Sequence, residues 1–266
     1  MGVRRYLVTG AASGIGRSVA ELAAAEGAAL CLVDISADAL EKVAHELRTG
    51  GAQVATVVAD LTSTDEAERV VQECVDALGG IDVLVSNAGA PVLYFLKDLS
   101  VEEFDRAIAL NVRATWALGR AAHPFLSQSR GNIVATGSTC GHHPAPPQGA
   151  YSVAKAGLLM LVRQMALEWG PDGIRCNSVS PGPTMTGLTE GVFNDLSDPK
   201  QRAVREMREA RLPLRKLGTP SEVAEAIMFL ASSKASQITG VDILVDGGMS
   251  TVLMPSAGVS TGQPAQ

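Results

Sequence analysis

No two cysteines in this chain have the spacing of a metal knuckle or a redox couple. Cys31, Cys74, Cys140 and Cys176 are scattered, which reads as reduced, mostly buried thiols. The His-Glu-x-x-His pattern is missing too, and His142 and His143 are adjacent, where side chains usually diverge, so no metal site is expected. There is no basic block to track a phosphate backbone, and the net charge of −6 argues against nucleic acid and anionic membranes. No apolar run approaches the ~18 residues of a membrane span. Nor is there a leader pattern, and the Met-Gly start has Tyr6 where a myristoylation signal needs Ser or Thr. The cytoplasm is the expected compartment. Internal repeats are absent, and no linker interrupts the pattern before about residue 250, so the 266 residues are expected to form one domain.

What is present is a 46% hydrophobic chain with enough material for a sizeable core. Strand-like runs fall near 4–9, 28–33, 52–58, 81–85, 131–136, 174–179 and 240–245, and helical patterns near 14–26, 36–49, 64–78, 100–126, 151–169 and 220–232. Such alternation predicts an α/β fold, a doubly wound parallel sheet of seven strands with helices on both faces, spanning 1–250. In these sheets ligands bind beyond the carboxyl ends of the strands. The segment 251–266, poor in charge and rich in Ser, Gly, Pro and Thr, is expected to be a mobile tail.

Two motifs carry chemistry. The first run ends in Gly10-Ala11-Ala12-Ser13-Gly14-Ile15-Gly16, a glycine turn between strand and helix spaced G-x-x-x-G-x-G. Glycines allow a tight turn and a close approach to a pyrophosphate, whose charge is met by the N–H groups and dipole of the following helix. The second strand ends at Asp34, where a carboxylate can accept hydrogen bonds from the hydroxyls of an adenosine ribose. A glycine turn alone also fits an ordinary loop, but turn, flanking strands and terminal acid together read as a dinucleotide site. At the other end of the domain stand Tyr151 and Lys155. Four residues apart on a helix they share a face, so the ammonium can favour the phenolate of a side chain that otherwise titrates near ~10. Tyr-x-x-x-Lys alone also fits a plain helix surface.

In chain order the sequence holds Thr9 to Gly16, Asp60-Leu61, Asn87-Ala88-Gly89, Asn111, Ser138, Tyr151 with Lys155, Pro181-Gly182 and Val245-Asp246-Gly247-Gly248. On these motifs the chain resembles the short-chain dehydrogenase/reductase family, from about Arg4 to Met249. One departure is Ser86, where the family has a second asparagine, which puts a structural hydrogen bond in doubt. The resemblance implies hydride transfer with NAD(P). Tyr151 would be general acid and base, Ser138 would hold the substrate oxygen, Lys155 would lower the Tyr151 pKa and hold the nicotinamide ribose, and Asn111 would hold a relay water. It also implies cofactor contacts from Gly10, Ser13, Gly14, Ile15, Gly16, Asp34, Asp60, Leu61, Asn87, Ala88, Gly89, Tyr151, Lys155, Pro181, Gly182, Thr184 and Thr186. Asp60 also fits a helix cap, Ser138 a turn residue, and Asn111 a helix-interior hydrogen bonder.

Asp34 would repel a 2′-phosphate, so NAD is expected ahead of NADP. The stretch 184–215 reads as a helical lid whose Met185, Leu188, Phe193, Leu196 and Met207 face either substrate or their own domain. Other pocket candidates are Pro91 to Tyr94, Thr139 to His143 and Gln148, a mixture that fits a small or medium secondary alcohol or ketone with another polar group. The alternatives are an NADPH-dependent 3-oxoacyl-[acyl-carrier-protein] reductase and a catalytically silent dinucleotide-binding scaffold. The helix of Tyr151 carries more apolar residues than one sheet-facing stripe needs. Relatives pair this helix and assemble further through the last strand and helix, so a homotetramer is expected.

Overall fold

The computed structural model describes residues 2–252. The expected tail lies outside the described residues apart from 251 and 252. Seven strands form one parallel sheet in the order β3-β2-β1-β4-β5-β6-β7: β1 Arg5–Thr9, β2 Ala29–Asp34, β3 Val54–Val58, β4 Val83–Ser86, β5 Asn132–Thr136, β6 Arg175–Pro181 and β7 Asp242–Val245. The chain starts in the middle, winds outward to β3, then returns beside β1 and winds the other way. That reversal between β1 and β4 is where the crossovers leave opposite faces and a crevice opens at the strand ends.

The helices are α1 Gly14–Ala25, α2 Ala37–Thr49, α3 Glu66–Leu78, α4 Val101–Ile108, α5 Ala114–Ser129, α6 Gly149–Trp169, α7 Pro199–Glu209 and α8 Pro220–Ala231. Strand side chains alternate, so Leu7 enters the core with α3, α5 and α6 while Tyr6 and Val8 enter the core with α1, α2 and α8. Both faces are covered, which is why β2 reads as an unbroken apolar run instead of an alternating one. Among the described residues no helix is long and apolar enough to cross a membrane.

The pattern expected as one helix over 100–126 differs. Between α4 and α5 the segment Ala109–Arg113 is a π turn, one wide loop of helix that an extra residue forces into the 3.6 period. Asn111 stands in it. The expected lid is a 3-10 turn at Gly187–Thr189, a second π turn at Glu190–Asn194 and then α7. Met185 and Phe193 pack with Val204, Leu212, Leu217 and Met249 in a separate small core. Those two therefore serve the segment itself, whereas Leu196 and Met207 stand exposed; nothing is described of the Leu188 side chain.

Candidate active site

The glycine turn is a cradle with no room for a side chain at Gly10 or Gly16. Gly10 has φ +65°, and a Cβ at Gly16 would collide with the Gly10 carbonyl oxygen. The N-terminus of α1 that follows has no side-chain cap and no acidic residue in its first turn, so its N–H groups face outward unmatched. Asp34 is pinned beside it: Oδ2 accepts from the Ala12 N–H at 3.1 Å and Oδ1 from the Ser36 N–H at 3.0 Å. Arg17 is committed elsewhere, forking to Glu21 and Glu46 at 2.7 Å each on the helix surface.

Asn87 ties the central strand ends together. Its N–H and that of Ala88 both donate to Thr9 Oγ1 at 3.0 Å, its amide reaches Thr9 O at 3.1 Å, and Thr136 Oγ1 donates to its Oδ1 at 2.9 Å. Ser86, where the family has an asparagine, forms a buried hydroxyl pair with Thr115 at 2.8 Å. Asp60 accepts from the Thr62 N–H at 3.0 Å and hydroxyl at 2.7 Å, which holds its carboxyl below the usual range. Leu61 is buried in the core and can offer a ligand only an edge. At the far side Gly182 N donates to Val245 O at 3.0 Å, Thr184 is buried with its hydroxyl on Gly182 O at 3.0 Å, and the Thr186 side chain comes within 3.5 Å of where a Gly14 Cβ would be. The base of the lid segment thus overhangs the glycine cradle.

The four candidate catalytic side chains converge at the ends of β4 and β5. Lys155 is buried, its Nζ lies 5.6 Å from the Tyr151 ring centroid, and it donates to Thr136 O at 2.7 Å. Asn111 donates from Nδ2 to Ala107 O, four residues back, at 3.0 Å and to Ala90 O at 3.2 Å. Its Oδ1 is buried without a partner. A Cβ on Gly89 would meet that oxygen at 2.7 Å and Lys155 Nζ at 3.4 Å, so Gly89 leaves the gap in which the two polar atoms face one space. Such a site suits one ordered water. Ser138 Oγ accepts from the Cys140 N–H at 3.1 Å, which leaves its own hydrogen for another acceptor.

Electrostatics run opposite to the expected direction. Burial pushes the Tyr151 phenol up to about 12, with hydrogen bonding from Ser138 opposing, and burial pushes the Lys155 ammonium down to about 8. The cause is the same in both: each loses the water that would stabilise its charged form. The pair is geometrically as expected, and burial sets the net direction of both shifts.

A family model described as Enoyl-(Acyl carrier protein) reductase matches residues 10–250. A 2-(S)-hydroxypropyl-CoM dehydrogenase of Xanthobacter autotrophicus is 34% identical over 92% of this chain and 96% of its own. The FabG 3-oxoacyl-[acyl-carrier-protein] reductase of Thermotoga maritima is 36% identical over 91% and 96%. The crystal structure of a short-chain type dehydrogenase/reductase from Mycobacterium marinum superposes with a TM-score of 0.84 at 34% identity, covering 92% of this chain and 95% of that one.

The chain belongs to the short-chain dehydrogenase/reductase family.

Members of this family are oxidoreductases acting on CH–OH or carbonyl groups with an NAD(P) nucleotide. The glycine cradle, the unmatched N–H groups of α1 and the orphaned Asn111 oxygen are features such a nucleotide and its site water would fill. Among the described residues no group of three or more His, Cys, Asp or Glu is placed to hold a metal ion.

Two residues beside the site, Thr136 and Leu96, were not singled out from sequence. Thr136 serves both Asn87 and Lys155, and only its position at a strand end could have marked it. Cys140 Sγ donates to Gln148 Oε1 at 3.0 Å. Tyr94 bridges to Gln148 through the backbone, and Leu96 packs where a Gly149 Cβ would be. These contacts place 94–96 beside the start of the helix that bears Tyr151.

Proposed function

We propose that this short-chain dehydrogenase/reductase transfers hydride between NAD(H) and a small or medium secondary alcohol or ketone that carries another polar group. The observation that carries the reading is the convergence of Tyr151, Lys155, Ser138 and Asn111 at the ends of β4 and β5, beside the Gly10–Gly16 cradle. NAD supplies the hydride acceptor or donor. In reduction Tyr151 gives its phenolic proton to the developing alkoxide while Ser138 hydrogen-bonds the same oxygen, and in oxidation Tyr151 takes the hydroxyl proton back. A phenol held protonated suits the reductive role directly. Lys155 and Asn111, facing one space, return that proton to Tyr151 through a water. Gly10, Ser13, Gly14, Ile15 and Gly16 hold the pyrophosphate, and Asp34 the adenosine ribose. Asp60, Leu61 and Asn87 to Gly89 wall the adenosine, and Pro181, Gly182, Thr184 and Thr186 the carboxamide end.

The preference for NAD is supported by Asp34, whose two backbone donors fix the carboxylate where a 2′-phosphate would be repelled, and by the exposed Ile35 and ion-paired Arg17, neither of which compensates. Leu93 to Leu96 form four consecutive exposed apolar residues beside the site, which supports a substrate with an apolar flank. The homotetramer proposed for this chain is supported by an exposed stripe on α6, Val153, Met160 and Leu167, with Trp116 on α5, and by exposed Phe229, Val241 and Leu244 near the β7 edge.

The test is absorbance turnover of a panel of secondary alcohols and ketones, plus a 3-oxoacyl thioester, with NAD(H) and NADP(H). NAD(H)-linked turnover of an alcohol or ketone is expected. A 3-oxoacyl thioester turned over best with NADPH would replace this reading with the carrier-protein reductase, and silence across the panel with nucleotide bound would favour the scaffold. Light scattering on the eluting peak checks the assembly: a monomer at micromolar concentration overturns it.

A further inference from the structure

The turn that begins at Ser138 is held from two sides by groups distant in sequence. Thr139–Gly141 is a single 3-10 turn closed by Gly141 N to Ser138 O at 2.9 Å and His142 N to Thr139 O at 3.0 Å. Its inner side lies flat on α6, because a Cβ on Gly141 would come within 2.9 Å of the Lys155 carbonyl carbon. Its outer side is strapped to the edge strand: His142 Nε2 lies 2.7 Å from Asp242 Oδ2, the first residue of β7. A carboxylate only accepts, so the Nε2 carries the hydrogen and donates.

Asp242 is built to receive that bond. Its side chain is only 5% exposed, and its other oxygen accepts from Ser178 Oγ at 2.5 Å and Ser180 Oγ at 2.9 Å, both on β6. The strand register puts Ser178 directly beside Asp242. Three donors on one sheltered carboxylate meet the cost of burying it. Ser180 Oγ also occupies the place a Gly137 Cβ would take, so the same network touches the residues on both flanks of the Ser138 turn.

We infer that His142 and Asp242 are positioning residues that fix the direction of the Ser138 hydroxyl, an inference that rests on the reading of Ser138 as the group holding the substrate oxygen. Ser138 Oγ spends one lone pair on the Cys140 N–H, so the orientation of the turn sets where the remaining O–H points. The serines already satisfy Asp242 Oδ1, and the His142 side chain is 27% exposed. Removing the imidazole therefore opens Asp242 Oδ2 to water and costs the fold little. What it releases is the outer side of the turn.

The experiment is a double-mutant cycle in the intact enzyme, with kcat and KM on the best substrate of the panel, NAD affinity by fluorescence and a thermal midpoint for each variant. His142→Ala is expected to lower kcat by roughly 10- to 100-fold, the range a loosened catalytic contact produces, with NAD affinity and midpoint close to the parent. His142→Gln, which keeps a donor at similar reach, is expected to recover most of it. In a Ser138→Ala background His142→Ala is expected to add nothing, since the hydroxyl it positions is gone. An unchanged kcat in His142→Ala, a full multiplicative loss in the double variant, or no recovery by Gln would each overturn the inference while Ser138 keeps its role. A Ser138→Ala enzyme with the parent's kcat would instead overturn that role, and the inference with it.

Discussion

The two ends of the sheet use polar groups in opposite ways. At the amino end charge is matched within the protein. Arg5 forks onto Asp82 at 2.7 and 2.9 Å and its backbone N–H adds a third bond at 2.8 Å. Arg175 reaches Leu230 O at 2.9 Å and Ser232 O at 3.2 Å, and Arg4 reaches Ala231 O at 2.6 Å, so two guanidiniums close the C-terminus of α8. Asn132 Oδ1 is left over there, and burial lowers the Arg175 pKa, but both guanidiniums are met by carbonyls of the fold. At the carboxyl end the opposite holds. Lys155 is buried with one carbonyl for company, Asn111 keeps an unpartnered oxygen, and the α1 N–H groups have no cap. One end stabilises the fold, and the other withholds its hydrogen-bonding capacity for a ligand at some cost to stability.

If that contrast is right, substitutions at the two ends should separate activity from stability. The largest effect is expected from Tyr151→Phe: kcat falls by ~10²–10⁴-fold, as for a lost general acid or base, while the thermal midpoint and NAD affinity stay near the parent. Near-normal turnover across pH would break the assignment. Next, Arg5→Ala should cost about 2 kcal/mol in a urea titration, the range for hydrogen bonds to a charged group, with kcat at 25 °C unchanged. A kcat that fell as steeply as stability would erase the distinction between the ends. Asp34→Ala combined with Ile35→Arg should move the NADP(H)-to-NAD(H) ratio of kcat/KM by at least about tenfold, ~1.4 kcal/mol, and parent-like preference would remove Asp34 as the selector.

The smallest effect has an informative sign. Below pH 8 Lys155 is charged in both the native and the unfolded chain, and the penalty for burying its ammonium is fully present. Between about 8, its native value, and 10.5, its ordinary value, the native protein has released a proton the unfolded chain still holds, so its contribution to stability rises with pH. Tyr151, raised to about 12 from 10.0, acts the other way only above pH 10. Lys155→Met should therefore be more stable than the parent by about 1 kcal/mol at pH 7, with the gap closing toward pH 10. Melting curves at pH 7 and 9.5 decide it. A variant less stable at pH 7 would place Lys155 with the stabilising charges of the amino end.

Much of the carboxyl end was readable because its residues follow strands, and the strands declare themselves as apolar runs such as Leu30-Cys31-Leu32-Val33. The i, i+4 pair Tyr151 and Lys155 was legible as geometry for the same local reason. Its electrostatics were not, since the sign depends on how much water the finished fold excludes. Asn111 fell inside a pattern read as one helix over 100–126, and an extra residue at Ala109–Arg113 hardly disturbs the apolar period that suggested it. Phe193 could not be assigned to substrate or lid, because the partners that settle it, Leu212 and Leu217, lie far along the chain. His142 stood beside a recognised serine, yet nothing marked Asp242 as its acceptor.

The bond between His142 and Asp242 spans 100 residues, and it crosses from the turn that bears Ser138 to the strand made last. A ribosome adding about 5–20 residues per second needs roughly 5–20 s to travel from one to the other. At the start of that interval β1 to β5 have already been synthesised, and α6, made next, receives the inner side of the turn while its outer side still lacks a strap. Until Asp242 is made, the direction of the Ser138 hydroxyl would rest on the inner contact alone, so the last strand completes the site as well as the sheet.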